Sequence, residues 1–590
     1  MGVVAAVVLM GKRFTALNGL ALLVGALAGL AAVFFRLGIS VVENLAFQGM
    51  FAGTPKEEAL HFLSRWGPFV VLVPLAGGLL VGLLRRFWPD LRQHGITEVM
   101  AAVQVKGGIL KGRSSWGHAL VAGITTGTGG STGREGPIGY IGAALGSSIA
   151  RRLKLGARDM KILLGCGFSA GIAASFNAPL GGVFMAVELV VPEFSTHAFI
   201  PLVLSTVVGV TIAHFFLGNQ ATFQLPPFTL ASPWELIAYL ALGLVCGLAA
   251  VAFIRLISWS NAGWARLPLS DTLKPAVGGL LVGILGLTML AVLGQYHVFG
   301  TGYATVSDIL GTGPDGFVAL LPLLLILLIA KPVATATTVG SGGGGGMFSV
   351  SLYQGAILGG LVGLGANAIA PNLALNPAAY AVVGMGAFYA ASTRATVTAI
   401  IILAELTQDY AILLPAMLAA VTADAVSVRL SQVSLYTIKL RASGILYEHD
   451  RVQSPLDFLQ VKDVMSAKVE CLPRTVTVGE AFNRMMDGGH TGYPVTDEAG
   501  KLAGIITRRD LAKHLHAGRG KDALATVVTG LAITAFPEEQ LYRARDRLYQ
   551  QDIGRLLVVD PADRTKLLGI LTRSDILRAE ASKDVEHEDT

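Results

Sequence analysis

The chain has 590 residues, of which 53% are hydrophobic and only 14% charged, with 72 glycines and a formal net charge of +6. A soluble domain would carry roughly 25% charged residues, so this composition, with a mean hydropathy of +0.61, excludes a soluble fold for the first ~440 residues and assigns them to a membrane. Cys166, Cys246 and Cys471 are far apart and form neither a CxxC pair nor a disulfide framework, which leaves them as packing residues.

In chain order, apolar spans are predicted at about 15–36, 66–87, 115–126, 137–150, 160–191, 197–217, 233–258, 272–294, 316–331, 353–370, 378–390 and 396–420. A crossing needs about 20 apolar residues, so the short, glycine-interrupted spans read as re-entrant or broken helices. The first ten residues are apolar but lack the positive region of a signal peptide. Basic clusters at Lys12/Arg13, Arg85/Arg86/Arg92, Arg151/Arg152/Lys154/Arg158/Lys161 and Lys439/Arg441 mark cytoplasmic loops, which puts both termini in the cytoplasm and makes the basic excess a topological bias rather than a nucleic-acid footprint.

Glu135 lies in Gly127-Thr-Gly-Gly-Ser-Thr-Gly-Arg-Glu-Gly-Pro137, between two apolar segments. An ionised acid at membrane depth is costly unless paired or facing an aqueous path, and non-helical backbone there must line protein or water. Pro137 suits the first turn of a following helix, whose free N–H groups would point back at the acid. The alternative is a structural ion pair with Arg134.

The chain repeats itself. Pro74–Leu84 matches Pro275–Leu285 at eight of eleven positions, and Gly29-Leu-Ala-Ala-Val33 recurs as Gly247-Leu-Ala-Ala-Val251. Ile141–Gly146 aligns with Gln354–Gly359, and Ala173-Ala-Ser175 with Glu188-Leu189 downstream aligns with Ala390-Ala-Ser392 and Glu405-Leu406. The matches are co-linear, which predicts a two-fold internal repeat with halves at about 15–217 and 233–440. The offset of 213 between Ile141 and Gln354 pairs Glu135 with Phe348, so the glycine runs 127–136 and 340–346 become mates that bring two helix N-termini to one anion-binding point.

These residues carry a family resemblance. Gly133-Arg-Glu-Gly-Pro137, Phe176-Asn-Ala-Pro179, Gly344-Gly-Gly-Met-Phe348 and Ser434-Leu-Tyr436 stand in the order found in the CLC family of chloride channels and proton-coupled chloride antiporters, which the chain resembles over residues 15–445. The resemblance implies an α-helical multi-pass membrane protein built as an inverted repeat with broken helices, forming a homodimer with one pore per subunit. It makes Glu135 the gating glutamate, and it places His94, Gly95, Ile96, Arg134, Gly136, Gly346, Met347, Phe348 and Tyr436 on the anion pathway. Two departures stand out: Gln93-His94-Gly95-Ile96-Thr97 replaces the family's Gly-Ser-Gly-Ile-Pro, and Val350 replaces the filter loop's proline. His94 then offers an imidazole N–H to the anion in place of a hydroxyl, or is a hydrogen-bonded structural histidine. Tyr436 offers an O–H, or is an interface tyrosine. Glu188 and Glu405 are repeat mates near helix ends and read as structural polar anchors. The family's second, proton-collecting carboxylate falls at Leu189, which favours a passive channel over the antiporter of the same fold.

After a linker at 446–459 the composition turns soluble. Residues 460–515 and 523–582 form a second repeat, in which Gly504-Ile-Ile-Thr-Arg-Arg-Asp510 matches Gly569-Ile-Leu-Thr-Arg-Ser-Asp575. This is similar to a cytoplasmic α/β pair of CBS domains, which implies Thr507, Asp510, Thr572 and Asp575 as ligands of an adenine nucleotide (AMP, ADP or ATP). The alternative is an empty dimer-contact pair with the aspartates as helix caps. A phosphate-loop enzyme would need a Gly-Lys-Ser/Thr ending after the glycines of 127–133, and the chain has none there. The expectation is a gated chloride-conducting protein of the inner or plasma membrane, residues 1–445 forming its transmembrane domain. It needs no cofactor or metal, and its partners are lipid, chloride and other small anions.

Overall fold

The computed structural model describes residues 2–51, 64–88, 91, 95–110, 112–191, 195–219, 223, 230, 232–371, 375–442, 459–488, 491–528, 533–551 and 553–579. His94 and the linker at 446–458 lie outside them. The chain divides into two compact units, residues 11–449, and residues 450–590 together with 1–10.

The larger unit is helical. Its first half runs α1 (Gly2–Glu43), α2 (Leu72–Phe87), α3 (Ile96–Val105), α4 (Gly112–Gly127), α5 (Glu135–Arg152), α6 (Ala157–Phe176), α7 (Pro179–Leu189) and α8 (Thr196–Leu217). The second half repeats that series as α9 (Glu235–Arg266), α10 (Lys274–Leu293), α11 (Tyr303–Gly311), α12 (Leu321–Ser341), α13 (Phe348–Ile369), α14 (Pro377–Thr393), α15 (Thr396–Thr407) and α16 (Leu413–Leu430), and α17 (Ile438–Ala442) follows. Among the described residues nine stretches are long and apolar enough to cross a bilayer. By contrast α7 has 11 residues and α15 has 12, enough for only about 16–18 Å of a ~30 Å core, so both are half-helices.

Two predicted spans are corrected. Residues 160–191 are two helices, because Asn177 (φ 56) turns left-handed at the end of α6 and Pro179 starts α7. Residues 396–420 break at Gln408 (φ 54), between α15 and α16. Apolar residues flank both breaks, so hydropathy runs through them. The short helices α3 and α11 were not predicted.

The two halves meet through reciprocal contacts, as a two-fold relation requires. A Cβ on Gly78 of α2 would strike the carbonyl of Pro275, and one on Gly279 of α10 would strike that of Pro74. Within each half the same device recurs. A Cβ on Gly142 of α5 would overlap the carbonyl oxygen of Gly167 on α6, and one on Gly355 of α13 that of Gly384 on α14. Without side chains at these crossings the helices pack backbone to backbone, which dispersion and not apolar transfer must stabilise inside lipid. Gly142→Val therefore sets branched carbons against a backbone that cannot yield. It is expected to lower stability by more than ~3 kcal/mol, read as loss of the monodisperse peak in size-exclusion chromatography after heating. Gly19→Val, at a site with nothing within 4 Å, should elute like the wild type.

The smaller unit holds α18 (Val461–Val464), β1 (Leu472–Pro473), α19 (Val478–Asp487), β2 (Gly492–Thr496), β3 (Leu502–Thr507), α20 (Arg508–His516), β4 (Thr534–Ala535), α21 (Leu541–Gln550), β5 (Arg555–Val559) and β6 (Leu567–Thr572). Each repeat forms one sheet, ordered β1-β2-β3 and β4-β5-β6, with a parallel then an antiparallel pairing and a matching bulge at Val495/Thr496 and Val558/Val559. The repeats exchange segments: Val461 packs in the core of Leu541, Leu548 and Leu556, whereas Leu524 packs with Leu472, Val478 and Val495.

Candidate functional site

The glycine runs before α5 and α13 are joined. Gly133 N–H donates to the Gly346 carbonyl (2.8 Å) and Gly346 N–H to the Gly133 carbonyl (2.6 Å). Glu135 begins α5 and Phe348 begins α13, the pairing that the repeat offset predicts. The N-termini of two helices thus face one point, where their first N–H groups lack intrahelical acceptors. The Gly346 amide is taken by the Gly133 carbonyl, so Gly346 borders the site without a free N–H.

Glu135 stands at that point. It is fully buried, and its Oε1 accepts a hydrogen bond from the Tyr303 hydroxyl at 2.8 Å. The backbone N–H groups of Glu135 and Ser349 face the carboxylate, while Oε2 completes no full hydrogen bond. A Cβ on Gly133 would collide with Oε2 and with the Ser349 hydroxyl, so glycine there makes room for the acid. Arg134 adds a cation beside Glu135, its guanidinium 5.4 Å from the centre of the Tyr303 ring. The carboxylate therefore occupies the position that a small anion would take at the two helix ends.

A cavity of about 50 Å³ opens beside this point, lined by Gly95, Ile96, Gly136, Gly346, Met347 and Tyr436 among others. Gly95 (φ 71) turns left-handed as the N-cap of α3, with its open face 3.5 Å from the Gly136 Cα, which brings a third helix N-terminus to the site. Thr97 Oγ1 donates to the Tyr436 carbonyl at 3.0 Å and ties that helix to the tyrosine segment. The Tyr436 hydroxyl is buried near that of Tyr389 and completes no full hydrogen bond. The Phe348 side chain packs instead on Phe176 (4.4 Å between ring centres) and Tyr389. A second cavity is lined by Arg134, Tyr303, Arg36, Glu43 and His297. Arg134 borders one cavity and Gly136 the other, and Glu135 stands between them in the chain.

Two residues here were not singled out in the sequence. Tyr303 is a lone aromatic after a glycine, 168 positions from Glu135, with no motif to mark it. Lys439 lines the Tyr436 cavity, although in the sequence it marks only a cytoplasmic loop; its place three residues after Tyr436 is the available signal.

Glu188 and Glu405 act as the anchors expected of them. Glu188 on α7 accepts from the Val397 and Thr398 N–H groups (3.0 and 2.8 Å) and from Thr398 Oγ1 (2.6 Å) at the start of α15. Glu405 on α15 accepts from Leu180 and Gly181 at the start of α7 (2.9 and 2.7 Å). Each half-helix caps the other's N-terminus. Leu189 is buried.

In the smaller unit Thr507 is the N-cap of α20 and Asp510 closes a capping box, with Thr507 Oγ1 donating to Oδ2 at 2.6 Å. Thr572 and Asp575 repeat the arrangement at 2.7 Å, and Arg578 adds an ion pair to Asp575 at 2.8 Å. Asp510 is exposed and Asp575 buried, so only the first presents its carboxylate to solvent.

Comparison with known proteins gives a consistent result. The family model described as Voltage gated chloride channel matches residues 77–428, and that of the CBS domain matches 461–517 and 529–582. A ClcB-like chloride channel protein of Ralstonia nicotianae is 34% identical over 359 residues, 60% of this chain and 81% of its own. The chloride channel protein CLC-f of Arabidopsis thaliana is 29% identical over 649 residues, 95% of this chain and 80% of its own. The crystal structure of a slow cyanobacterial Cl⁻/H⁺ antiporter shares the fold with a TM-score of 0.63 at 25% identity, over 72% of this chain and 97% of its own.

Proposed function

The chain belongs to the voltage-gated chloride channel (CLC) family and carries two CBS domains, and from that premise we propose that it conducts chloride passively, with Glu135 as the gate. The observation that carries this reading is the carboxylate lodged where the N-termini of α5 and α13 meet, its chain neighbours Arg134 and Gly136 each bordering a cavity. A tethered anion there excludes chloride while ionised and yields when a proton neutralises it. Ile96, Gly136, Met347 and the Phe348 backbone bound the path, and Tyr436 supplies a hydroxyl to the ion. The competing reading, proton-coupled exchange, draws on the likeness to the cyanobacterial antiporter. A proteoliposome assay that records chloride and proton movement together tests the proposal: chloride efflux without uphill proton movement is the expected result.

The same reading makes residues 1–445 the transmembrane domain of a homodimer in the inner or plasma membrane, with cytoplasmic termini, and residues 460–515 and 523–582 a regulatory pair. Adenine nucleotide is the proposed regulator, held through Thr507, Asp510 and Thr572, with Asp575 joining once its pair with Arg578 opens. Calorimetry on the full chain in detergent is expected to show binding of AMP, ADP or ATP. Asp510→Asn should weaken it by about tenfold, since an amide can still accept from the Thr507 N–H and close the capping box but loses the charge-assisted bond to a ribose hydroxyl. No heat with any of the three nucleotides would leave the pair as a scaffold.

A further inference from the structure

We propose that Tyr303 is a latch for Glu135, a positioning residue whose hydroxyl holds the ionised carboxylate in the blocking position. The proposal rests on the gate reading above and adds to it the group that sets how easily the gate lets go.

The hydroxyl reaches Glu135 Oε1 at 2.8 Å, and the ring is held on two sides, by Phe223 at 5.7 Å between ring centres and by the Arg134 guanidinium at 5.4 Å. Its backbone is held as firmly. Tyr303 is the first residue of α11, directly after Gly302 (φ 80). A side chain on Gly302 would run into the Tyr353 ring, with Lys331 Nζ 3.3 Å away. Lys331 is fully buried in the middle of α12, and its Nζ donates to the Val298 carbonyl (3.1 Å) and the Gly300 carbonyl (2.8 Å) beneath the face of Tyr353 (5.1 Å). The Tyr353 hydroxyl donates to the His297 carbonyl at 3.2 Å, and His297 Nδ1 lies 3.1 Å from Thr305 Oγ1. Four side chains thus fix the loop 297–302 whose end aims one hydroxyl at one carboxylate. A fully buried lysine is costly inside a membrane protein, and its two hydrogen bonds both go to this loop.

The chemistry gives the latch a direction. A phenol donates more strongly to a carboxylate than to a neutral acid, so the bond favours the ionised, blocking state over the protonated one and over a site taken by chloride. Its removal should open the gate at lower proton concentration.

The test is chloride efflux against pH from proteoliposomes holding the full-length wild type, Tyr303→Phe, Glu135→Gln and the double variant. Phenylalanine keeps the ring contacts and deletes only the donor. Loss of a hydrogen bond to a charged group should move the midpoint of acid activation about one pH unit toward alkaline and raise flux at neutral pH about tenfold. In the Glu135→Gln background the same change should leave the flat profile as it is. A Tyr303→Phe curve that overlays the wild type beside a flat Glu135→Gln curve overturns the latch and keeps the gate. If Glu135→Gln itself keeps the wild-type curve, the gate reading falls and the latch falls with it. A tyrosine that merely supports the fold would change the amount of protein recovered and leave the midpoint where it was.

Discussion

Chloride flux through Glu135→Gln is expected to be independent of pH across the acid to neutral range, at the level the wild type reaches only in acid. The wild-type carboxylate is fully buried, accepts one hydroxyl at 2.8 Å and faces the N–H groups of Glu135 and Ser349; these donors hold the charged form in place against the cost of burying it. As pH falls the proton removes the charge, the attraction to the helix N-termini weakens, and chloride competes successfully for the same amides. Glutamine has nearly the same shape but carries no charge at any pH. It can accept the Tyr303 hydrogen bond, yet it cannot match a chloride ion for two positive helix ends. One charge-assisted hydrogen bond is worth ~1.5–3 kcal/mol, so flux at neutral pH should rise about tenfold or more over the wild type. Initial rates from chloride-loaded vesicles at stepped pH measure this directly, and a variant that retained the wild-type slope would remove Glu135 from the gate.

The repeat was the part of the structure most open to reading, because it is written in small residues whose spacing the packing imposes. Gly142 and Gly167 admit no side chain, and neither do their counterparts Gly355 and Gly384, so both halves keep the pattern and the offset between them predicts the pairing of Glu135 with Phe348. The breaks at Asn177 and Gln408 escaped the same reading. Each is a single left-handed residue between apolar stretches, and hydropathy averages over it. Asn177 stood within a motif already quoted, yet only its backbone angle shows that the chain turns there. The partners of the site were the least legible. Tyr303 is brought to Glu135 by a loop whose geometry depends on Lys331, which the sequence presents as one isolated lysine in an apolar span. Lys439 looked like a boundary charge because counting basic residues assigns a side of the membrane and says nothing of which cavity a side chain lines.

A chloride gradient imposed on proteoliposomes is expected to leave protons where they are. Coupled exchange in the family generally uses a second carboxylate that loads protons and passes them toward Glu135, with water as the alternative bridge, and the two residues at the end of α7 do not offer that carboxylate. Leu189 is buried and has no titratable group. Glu188 is acidic, but both of its oxygens are taken by the start of α15, Oε1 by the Val397 N–H and Oε2 by the Thr398 N–H and hydroxyl. Both oxygens are committed to capping α15, and a relay role would require Glu188 to surrender a contact that holds two half-helices together. Glu405 repeats the commitment at α7. In weakly buffered medium, a proton electrode should therefore register no uphill movement while chloride runs down its gradient. Glu188→Gln sharpens the test. As a cap it should cost about 1 kcal/mol of stability and leave the pH profile of chloride flux unchanged. Proton uptake at a fixed ratio to chloride, lost in Glu188→Gln while chloride flux survives, would make that residue the relay and the protein an exchanger.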